Sequence, residues 1–473
     1  MEMEEAMKDT PFSPAILIDG SKCYFDGVDL RYLAHEFGTP LYVMSETIIR
    51  ERCEELRSAF LCRYPGTRAY YASKALQTLD VLKIIKEEGL GVDVVSGGEL
   101  HAALNAGVTP SDIIFHGNAK TDEELHYAIS SKVGRIAVDN IEEIFRIEEE
   151  ADRLSRDQRV ILRVSPGVDS HTHRFISTGS LDSKFGLPIE HSEVERYVKA
   201  LALCPHVEFS GLHFHVGSQL LENTSHLAAL EIVLNFAAKL SKEFGLQVKE
   251  INFGGGFGIR YLPSDRAPAL LDFIDPMMSM VKEWSRKENL PMPVCAIEPG
   301  RWIVGEAGIT LYKVIAVKEI PGVRTYVSVD GGMGDNIRPA LYDARYHVET
   351  VSQACAMVPC EKEKEENSSK EEVLRERDAE KALSMDSNRE PILRKVTIAG
   401  RYCESGDIIA EDVFLPDPKP LDILAVYSTG AYCFSMSSNY NRVPRPAMVI
   451  TKSGDFRLSV RRETYDDLLR REI

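Results

Sequence analysis

The 473-residue sequence lacks the features of a secreted, membrane-spanning or nucleic-acid-binding chain. It has no run of about 18 apolar residues, so no membrane-spanning helix is expected. Its nine cysteines are scattered and include no CxxC pair, which indicates reduced thiols rather than a disulfide framework. Its 56 basic and 73 acidic residues give a net charge of −17, which argues against nucleic acid or an anionic membrane surface as a partner.

No targeting segment is recognisable at the start of the chain. Residues 1–5 (MEMEE) are acidic, and no apolar core of a signal peptide follows them. We therefore predict a cytoplasmic protein. The hydrophobic content of 44% and the charged content of 27% are typical of a soluble globular chain. A length of 473 residues is too great for one core of ordinary size, so two domains are expected.

Short apolar runs alternate with helical patterns between residues 46 and 308. Continuous apolar runs are typical of parallel strands that are covered on both faces. Eight such units over roughly 250 residues predict an α/β fold, a (β/α)8 TIM barrel. A doubly wound open sheet is the alternative, but the GxGxxG expected after its first strand is absent. The predicted strands are 67–72, 91–95, 112–115, 135–138, 159–164, 207–213, 249–252 and 292–297, and the predicted helices are 46–61, 78–88, 97–106, 121–130, 140–153, 190–203, 222–245 and 268–288.

After residue 308 the helices disappear from the pattern. Strand-like runs at 310–318, 325–329, 395–399 and 422–427 predict a mainly-β C-terminal domain over 309–473. Residues 14–45 are predicted to form a hairpin and a further strand, and these N-terminal strands are predicted to join that domain. Residues 1–13 are expected to be disordered. The charged stretch 361–394 is expected to be a solvated insertion, with partner binding as the minor alternative.

Reactive and glycine-rich residues follow most of the predicted barrel strands. Chemistry in such barrels lies at the carboxyl ends of the strands. Lys74 follows the first strand, and we hypothesise that it carries a cofactor as a Schiff base, which requires an amine that loses its proton near neutrality through partial desolvation. A lone lysine is more often a solvated side chain. The other strand ends carry Asp93, His116-Gly117-Asn118, Arg163, the 213–219 segment, the 254–258 segment and Glu298-Pro299-Gly300-Arg301.

These neighbours are individually ambiguous. The glycines at 254–256 leave backbone N–H groups uncovered, so the loop could wrap a phosphate or could be a plain tight turn. Gly300 and Arg301 could complete the same phosphate site. Glu298 could keep a pyridine nitrogen protonated, and His215 could stack on a flat ring. The alternatives are a salt-bridged glutamate and an ordinary core histidine. No metal site is expected.

Several longer segments resemble the alanine racemase-like, fold-type III pyridoxal-phosphate decarboxylases. The resemblance is greatest to the diaminopimelate decarboxylase family, and it extends from about residue 15 to residue 465, excluding the charged stretch. Leu76, Arg401-Tyr402 and Thr429 depart from the family pattern without removing a catalytic residue. The segments that carry the resemblance are HTHRFISTGSLDSKFG (171–186), HFHVGSQ (213–219), EPGR (298–301), IRPALY (337–342), CESGD (403–407) and GAYCFSMSSNYN (430–441) with Arg445-Pro446.

The resemblance implies a role for each matching residue. Lys74 would hold pyridoxal 5'-phosphate, and Cys403 would be a proton donor. The implied substrate contacts are Arg301, Arg338 and Tyr342 for a distal carboxylate, Glu404 for an amino group, and Tyr432. Cys403 and Glu404 would complete the site of a second copy, so a homodimer with shared active sites is implied. The cofactor-binding set would be Lys74, Asp93, His215, Ser218, Gly255, Gly256, Glu298, Gly300, Arg301 and Tyr432.

The implied activity is the decarboxylation of meso-2,6-diaminopimelate to L-lysine and CO2, the last step of lysine biosynthesis by that route. A chain of net charge −17 needs local arginines to hold such a dicarboxylic amino acid. A sister decarboxylase acting on ornithine, lysine or carboxynorspermidine is the alternative activity. A catalytically inactive binding protein is a further alternative, but it would be expected to lose Lys74 or Cys403.

Overall fold

The structure, a computed structural model, describes residues 12–13, 15–19, 22–168, 184–189, 193–352 and 393–473. Three sequence predictions therefore fall wholly or mostly outside the described residues. They concern the N-terminal tail, the motif at 171–186 and the charged stretch at 361–394. The last two residues of that stretch, Leu393 and Arg394, belong to a strand. None of the described helices combines the length and apolar character that a bilayer crossing requires.

Eight parallel strands form a closed barrel, as the sequence predicted. Neighbours in the chain are neighbours in the barrel, and the eighth strand pairs with the first, Ala296 opposite Arg68. Since no strand of the ring is left with a free edge, the open-sheet alternative is wrong. The two-residue strand Leu187–Pro188 adds to the fifth strand. The barrel strands are Arg68–Ala72, Gly91–Val94, Ile113–Phe115, Arg135–Val138, Gln158–Ser165, Val207–His213, Glu250–Asn252 and Val294–Ile297.

The predicted helices between these strands are present, with ends shifted by a few residues. Four of them are capped at the N-terminus by a side chain, that of Ser45, Ser96, Thr121 or Asn140, and Thr121 and Glu124 form a reciprocal capping box. The first helix ends in a π-helical turn, Arg57–Leu61. The helices are Glu46–Leu56, Leu79–Glu87, Gly97–Asn105, Asp122–Ser130, Ile141–Arg153, Glu193–Leu203, Thr224–Phe244 and Leu270–Glu288.

The two ends of the barrel interior differ in chemistry. At the amino ends of the strands, Arg135 donates to Glu250 at 2.8 Å, and both side chains are buried. A middle layer is mainly apolar, formed by Tyr70, Ile114, Ala137, Ile161 and Ala296. The carboxyl ends carry the polar groups described below. The charges of Arg135 and Glu250 thus pair with each other at the amino ends, away from the polar groups at the carboxyl ends.

A second sheet of nine strands forms the mainly-β domain, as predicted. The strand Leu41–Ser45 lies inside this sheet, between Gly308–Ile320 and Ala447–Lys452. The earlier strands do not join it. They pair antiparallel as the predicted hairpin but form a separate three-stranded sheet, Ile16–Asp19, Lys22–Phe25 and Val28–Asp29. The other strands of the large sheet are Arg324–Val329, Val348–Ser352, Leu393–Ala399, Ile408–Pro416, Ile423–Val426 and Asp455–Val460.

The described chain also contains four short α-helices: Leu30–Phe37, Arg301–Val304, Arg338–Tyr342 and Tyr465–Leu469. The mainly-β domain contacts the carboxyl end of the barrel directly. The backbone N–H of Tyr432 donates to the carbonyl of Ala75 at 2.8 Å. The N–H of His347 donates to the carbonyl of Tyr261 at 3.0 Å. The polar end of the barrel therefore opens against the second domain.

Candidate active site

A cavity of about 500 Å³ lies at the carboxyl ends of the barrel strands. Its volume is within the usual range for small-molecule sites. Cys403 and Glu404 are not among its lining residues. The other predicted site residues all line it: Lys74, Asp93, His215, Ser218, Gly255, Gly256, Glu298, Gly300, Arg301, Arg338, Tyr342 and Tyr432.

Lys74 lies in a short 3-10 turn, Ser73–Ala75, directly after the first barrel strand. Its side chain projects into the cavity, so it is accessible although its neighbours Ser73 and Ala75 are buried. Burial in the site lowers the pKa of Lys74, but the nearby charges, Asp93 first, outweigh it and the net pKa is raised. The charged groups of the chain itself therefore favour the protonated amine of Lys74. The expectation that desolvation would let this amine deprotonate near neutrality is wrong for the chain without a bound molecule.

Asp93 is the acidic neighbour that contributes most to this effect. Its side chain is buried, and burial raises the pKa of its carboxyl group. Its Oδ1 has no hydrogen-bond partner within the part of the chain that the structure describes. A buried carboxylate with an unused acceptor beside a lysine is a group that can take a further hydrogen bond from a bound molecule.

Glu298 is held by three donors at the floor of the cavity. Its Oε1 accepts from His116 Nε2 at 2.8 Å and from Asn252 Nδ2 at 2.7 Å, and its Oε2 accepts from His213 Nε2 at 3.0 Å. Burial alone would raise the pKa of Glu298, but the two histidines outweigh it and hold the pKa well below its usual range. Glu298 is therefore ionised in the site, where it can pair with a cationic ring nitrogen.

One histidine of this cluster, His213, is neutral at neutral pH. Burial lowers the pKa of His213 to about 4, against the opposing influence of Glu298. The ligand atoms of His116, His213 and Glu298 lie within 4.8 Å of one another, a grouping that could hold a metal ion. The same atoms already bond to one another. Each histidine Nε2 donates a hydrogen bond to Glu298, and the ionised carboxylate accepts both.

His215 presents a neutral imidazole beside the glycine loop. The N–H of Gly255 donates to His215 Nδ1 at 3.2 Å, which requires an unprotonated Nδ1. Burial holds the pKa of His215 well below its usual value. Gly254 has φ +68°, and a Cβ on it would lie 2.9 Å from that same nitrogen. The glycine is needed so that the loop can approach the ring closely.

Ser218, Arg301 and the glycines form a polar corner next to this loop. Arg301 Nη2 donates to Ser218 Oγ at 2.8 Å, while its Nε is buried without a partner in the described chain. A Cβ on Gly255 would lie 2.2 Å from the Glu298 carbonyl oxygen, and one on Gly300 would lie 2.9 Å from the Ala72 Cβ. Glycine backbone, the Ser218 hydroxyl and the Arg301 guanidinium thus share one corner of the cavity, and such N–H and cationic groups suit an anionic ligand.

Arg338 and Tyr342 line the same cavity from the second domain. Arg338 is buried, and its Nε donates to the Tyr346 hydroxyl at 2.8 Å. Its guanidinium carbon lies 5.5 Å from the ring centre of Tyr432, and that of Arg301 lies 4.8 Å from the same ring. Tyr432 has φ +66°, an uncommon backbone conformation for an aromatic residue. Two arginines therefore converge on one tyrosine at the cavity.

Cys403 and Glu404 lie elsewhere. They occupy the turn between the strands Leu393–Ala399 and Ile408–Pro416, and both are exposed. The N–H of Cys403 donates to Asn441 Oδ1 at 2.8 Å, so the turn is ordered although it faces outwards. The cavity of a single chain thus lacks the predicted proton donor.

Several residues that line or support the cavity had no role predicted from the sequence. His116 and Arg163 stood at strand ends, and His213 began the 213–219 motif. Asn252 is the last residue of the seventh strand, and its Oδ1 also accepts from the N–H of Gly254 at 3.0 Å. A polar residue that ends an apolar run was the available signal for Asn252.

The polar groups that line the cavity fit a planar cationic ring that carries an aldehyde and an anionic arm. The cavity offers an amine at Lys74, an ionised carboxylate at Glu298, a neutral ring at His215 and the polar corner at Ser218 and Arg301. The unpartnered Arg301 Nε and Asp93 Oδ1 are the kinds of groups that such a molecule would satisfy. The residues therefore fit pyridoxal phosphate.

Comparison with known proteins places these features in a family. Residues 46–305 match the family model described as "Pyridoxal-dependent decarboxylase, pyridoxal binding domain". The chain is 40% identical to a diaminopimelate decarboxylase of Bacillus subtilis (strain 168), over 94% of each protein. A solved diaminopimelate decarboxylase from M. jannaschii, in complex with L-lysine, has a TM-score of 0.85 and 34% identity, with 98% of each chain covered.

A more distant structure supports the fold alone. The lysine/ornithine decarboxylase of Vibrio vulnificus, solved with putrescine, has a TM-score of 0.70 but only 21% identity, with 90% of this chain and 97% of that chain covered. The identity is nearly twice as high to the B. subtilis relative, and that alignment covers almost the whole of both proteins. The chain belongs to the diaminopimelate decarboxylase family of pyridoxal-dependent decarboxylases.

Proposed function

We propose that the chain binds pyridoxal 5'-phosphate through Lys74 and decarboxylates meso-2,6-diaminopimelate to L-lysine and CO2. The observation that carries the proposal is the sharing of one cavity by two kinds of group. Lys74 and the ionised Glu298 suit the cofactor, and the buried arginines Arg301 and Arg338 suit a second carboxylate on the substrate. An ornithine or lysine substrate has no such second carboxylate.

Each cofactor-binding residue supplies one kind of contact. Lys74 Nζ would hold the cofactor, Glu298 would keep a proton on the ring nitrogen, and His215 would cover one face of the ring. Ser218, Arg301 and the backbone at Gly255, Gly256 and Gly300 would surround the phosphate. When bound, pyridoxal phosphate supplies a conjugated system that accepts the electron pair released as CO2 departs.

The substrate would be oriented through its distal carboxylate. Arg338 is fixed by Tyr346 and by packing against aromatic rings, so its guanidinium is pre-oriented. A planar guanidinium can bind a carboxylate through two parallel hydrogen bonds, which sets the direction of the substrate as well as its affinity. Tyr342 and Tyr432 would complete this end of the site.

The reaction breaks the bond between the α-carbon and its carboxylate and forms one C–H bond there. The proton must come from a group in the site. Lys74 Nζ can return one because the raised pKa favours its protonated form. Cys403 is the second candidate donor, and it would act from the partner chain since it does not line the cavity of its own.

Because the cavity of one chain lacks Cys403 and Glu404, we infer a homodimer in which each of two active sites is shared between the chains. Cys403 and Glu404 are exposed on an ordered turn, and in a single chain neither reaches the cavity. The turn of a second copy would bring a thiol and a carboxylate to the cavity mouth. The carboxylate could then bind the substrate's amino group.

A CO2-release assay tests the proposal. Purified protein with added pyridoxal phosphate is given meso-diaminopimelate, D- and L-lysine, or D- and L-ornithine. We expect CO2 from meso-diaminopimelate only, with L-lysine as the other product. Release from lysine or ornithine without release from meso-diaminopimelate would assign the chain to the sister activity. No release from any substrate, despite bound cofactor, would contradict a decarboxylase function.

A further inference from the structure

The turn that carries Cys403 and the loop that leads to Arg338 leave the same edge of the large sheet. The strand Arg324–Val329 runs parallel to Leu393–Ala399, with Ser328 opposite Ala399. Parallel strands end at the same edge, so the loop 330–337 and the turn 400–407 start side by side. The first loop leads into the helix that begins with Arg338.

One buried carboxylate bridges these two segments. Asp407 Oδ1 accepts from the N–H of Met333 at 2.6 Å, and its Oδ2 accepts from the N–H of Tyr402 at 2.7 Å. Its relative exposure is only 3%. Each segment is therefore attached to a different oxygen of the same side chain.

Two glycines make room for this bridge. A Cβ on Gly332 would lie 2.4 Å from Asp407 Oδ1, and a Cβ on Gly400 would lie 2.2 Å from Oδ2. Backbone contacts reinforce the junction, since the N–H of Arg401 donates to the Gly331 carbonyl at 2.9 Å. The junction thus accommodates the carboxylate in one position.

We propose that Asp407 is a positioning residue that couples the two active sites of the dimer. Arg338 lines the cavity of its own chain, whereas Cys403 on the turn would serve the cavity of the partner. Both are connected to the Asp407 carboxylate, through Met333 on one side and Tyr402 on the other. This inference rests on the proposed shared-site homodimer.

The coupling predicts two separate kinetic defects for Asp407→Asn. The amide presents an NH2 group to one backbone N–H, which loses its acceptor. It presents a neutral oxygen to the other, which is a weaker acceptor than a carboxylate, so both segments loosen. Loss of a residue that orients a reactive group commonly costs on the order of 10–100-fold. A looser Arg338 raises KM, and a looser Cys403 lowers kcat. Asp412→Asn, an exposed aspartate on the same hairpin, is the matched control.

Heterodimers purified with two different affinity tags separate the defects. In a dimer of Lys74→Ala and Asp407→Asn chains, the only site with Lys74 takes Arg338 from the altered chain and Cys403 from an unaltered turn. We expect a raised KM for meso-diaminopimelate with little change in kcat. In a dimer of wild-type and Lys74→Ala/Asp407→Asn chains, the arrangement is reversed, and we expect a lower kcat with little change in KM.

The reference for both is a dimer of wild-type and Lys74→Ala chains. If either heterodimer matches this reference, Asp407 does not couple the sites and the inference is overturned. If Lys74→Ala and Cys403→Ala chains fail to restore activity when combined, the shared-site proposal itself has failed. The two failures are therefore distinguishable.

Amide hydrogen exchange provides a readout that is independent of activity. In Asp407→Asn, exchange at both Met333 and Tyr402 should accelerate about tenfold or more, while Asp412→Asn leaves both unchanged. Unchanged protection at either amide would overturn the inference. If Asp407→Asn does not fold, Gly332→Ala and Gly400→Ala displace the carboxylate from each side, and the same heterodimers and amides are measured in them.

Discussion

His213 Nε2 lies 3.0 Å from Glu298 Oε2, and the pKa values of both buried side chains are lowered. The pKa of the imidazole falls to about 4 through burial, and the pKa of the carboxyl is held well below its usual range. At neutral pH the pair is therefore a neutral donor and an ionised acceptor. Glu298 thus keeps its negative charge in the absence of a full positive charge on the histidine.

Asn252→Asp tests the environment of Glu298. The change keeps the oxygen that accepts from Gly254 but replaces the donor at 2.7 Å from Glu298 with a second carboxylate oxygen. Like-charge repulsion should raise the pKa of Glu298, weaken pyridoxal phosphate binding and lower kcat by about tenfold or more. Fluorescence titration and CO2 release measure these effects. Asn105→Asp, on the exposed face of a helix, is the control; equal affinities in both variants would contradict the role of Glu298.

Lys74→Ala tests the cofactor attachment. We expect the variant to lose the absorbance band of covalently held pyridoxal phosphate and all measurable CO2 release. Borohydride reduction followed by peptide mass analysis should mark Lys74 in the wild type. Lys83→Ala, which removes an exposed lysine, should retain band and activity. A wild-type band in Lys74→Ala would refute the assignment.

Mixing two inactive variants tests the shared site. Lys74→Ala and Cys403→Ala chains, each poorly active alone, should form heterodimers that contain one intact site and one doubly altered site. Random pairing at equal amounts should restore about a quarter of wild-type activity. Sedimentation analysis verifies that the chains are dimeric. Activity no higher than the sum of the separate variants would show that Cys403 acts within its own chain or not at all.

Arg338→Gln tests carboxylate recognition. Loss of a charge-assisted hydrogen bond, about 1.5–3 kcal/mol, should raise KM for meso-diaminopimelate by roughly 10–100-fold. Because Arg338 is buried and bonded to Tyr346, thermal unfolding must be measured alongside the kinetics. Arg345→Gln, in the exposed segment after the same helix, is the control. A KM that is unchanged in a folded Arg338→Gln protein would contradict the proposed substrate contact.

His226 provides a test of pH dependence. Its Nε2 donates to the Gly255 carbonyl at 3.0 Å, and burial lowers its pKa from 6.5 to about 4. As the pH falls, His226 is protonated in the unfolded chain before it is protonated in the folded one. Its contribution to the free energy of unfolding is therefore fully present above pH 6.5. It is lost between pH 6.5 and 4, and the loss amounts to roughly 3 kcal/mol. When unfolding by urea is measured at several pH values, the free energy of unfolding of His226→Gln should fall less steeply over this range than that of the wild type.

The exposed His35→Gln serves as the matched control for that series. It should retain the wild-type slope of unfolding free energy against pH. If His226→Gln follows the same slope as the control and the wild type, another group is responsible for the acid sensitivity.

The barrel could be predicted from the sequence because its signal is local. Each strand is a short apolar run and each helix has its own periodic face, so a residue such as Lys74 could be placed at a strand end from its neighbours alone. The strand Ile408–Pro416 was missed because its exposed and buried residues do not alternate, its ladder is irregular, and it includes the charged Glu411 and Asp412. Edge position and register depend on partners that are distant in the chain.

The site was predicted as a set of residues but not as a set of interactions. That Asn252 and His213 both donate to Glu298 depends on the curvature of the closed ring, which brings the ends of separate strands together. The direction predicted for the pKa shift of Lys74 was wrong for the same reason. It depends on the distance to Asp93 relative to the loss of solvent, and neither quantity can be read from spacing along the chain.

The position of the strand Leu41–Ser45 has a consequence for how the molecule forms. Its neighbours in the sheet begin at Gly308 and Ala447, so it must wait for segments made more than 260 residues later. The barrel strands all lie between Arg68 and Ile297 and can pair earlier during synthesis. A nascent chain stopped before Ala447 would therefore carry a finished barrel and an uncovered strand edge on Leu41–Ser45, a ready surface for chaperones or for wrong pairing with another chain.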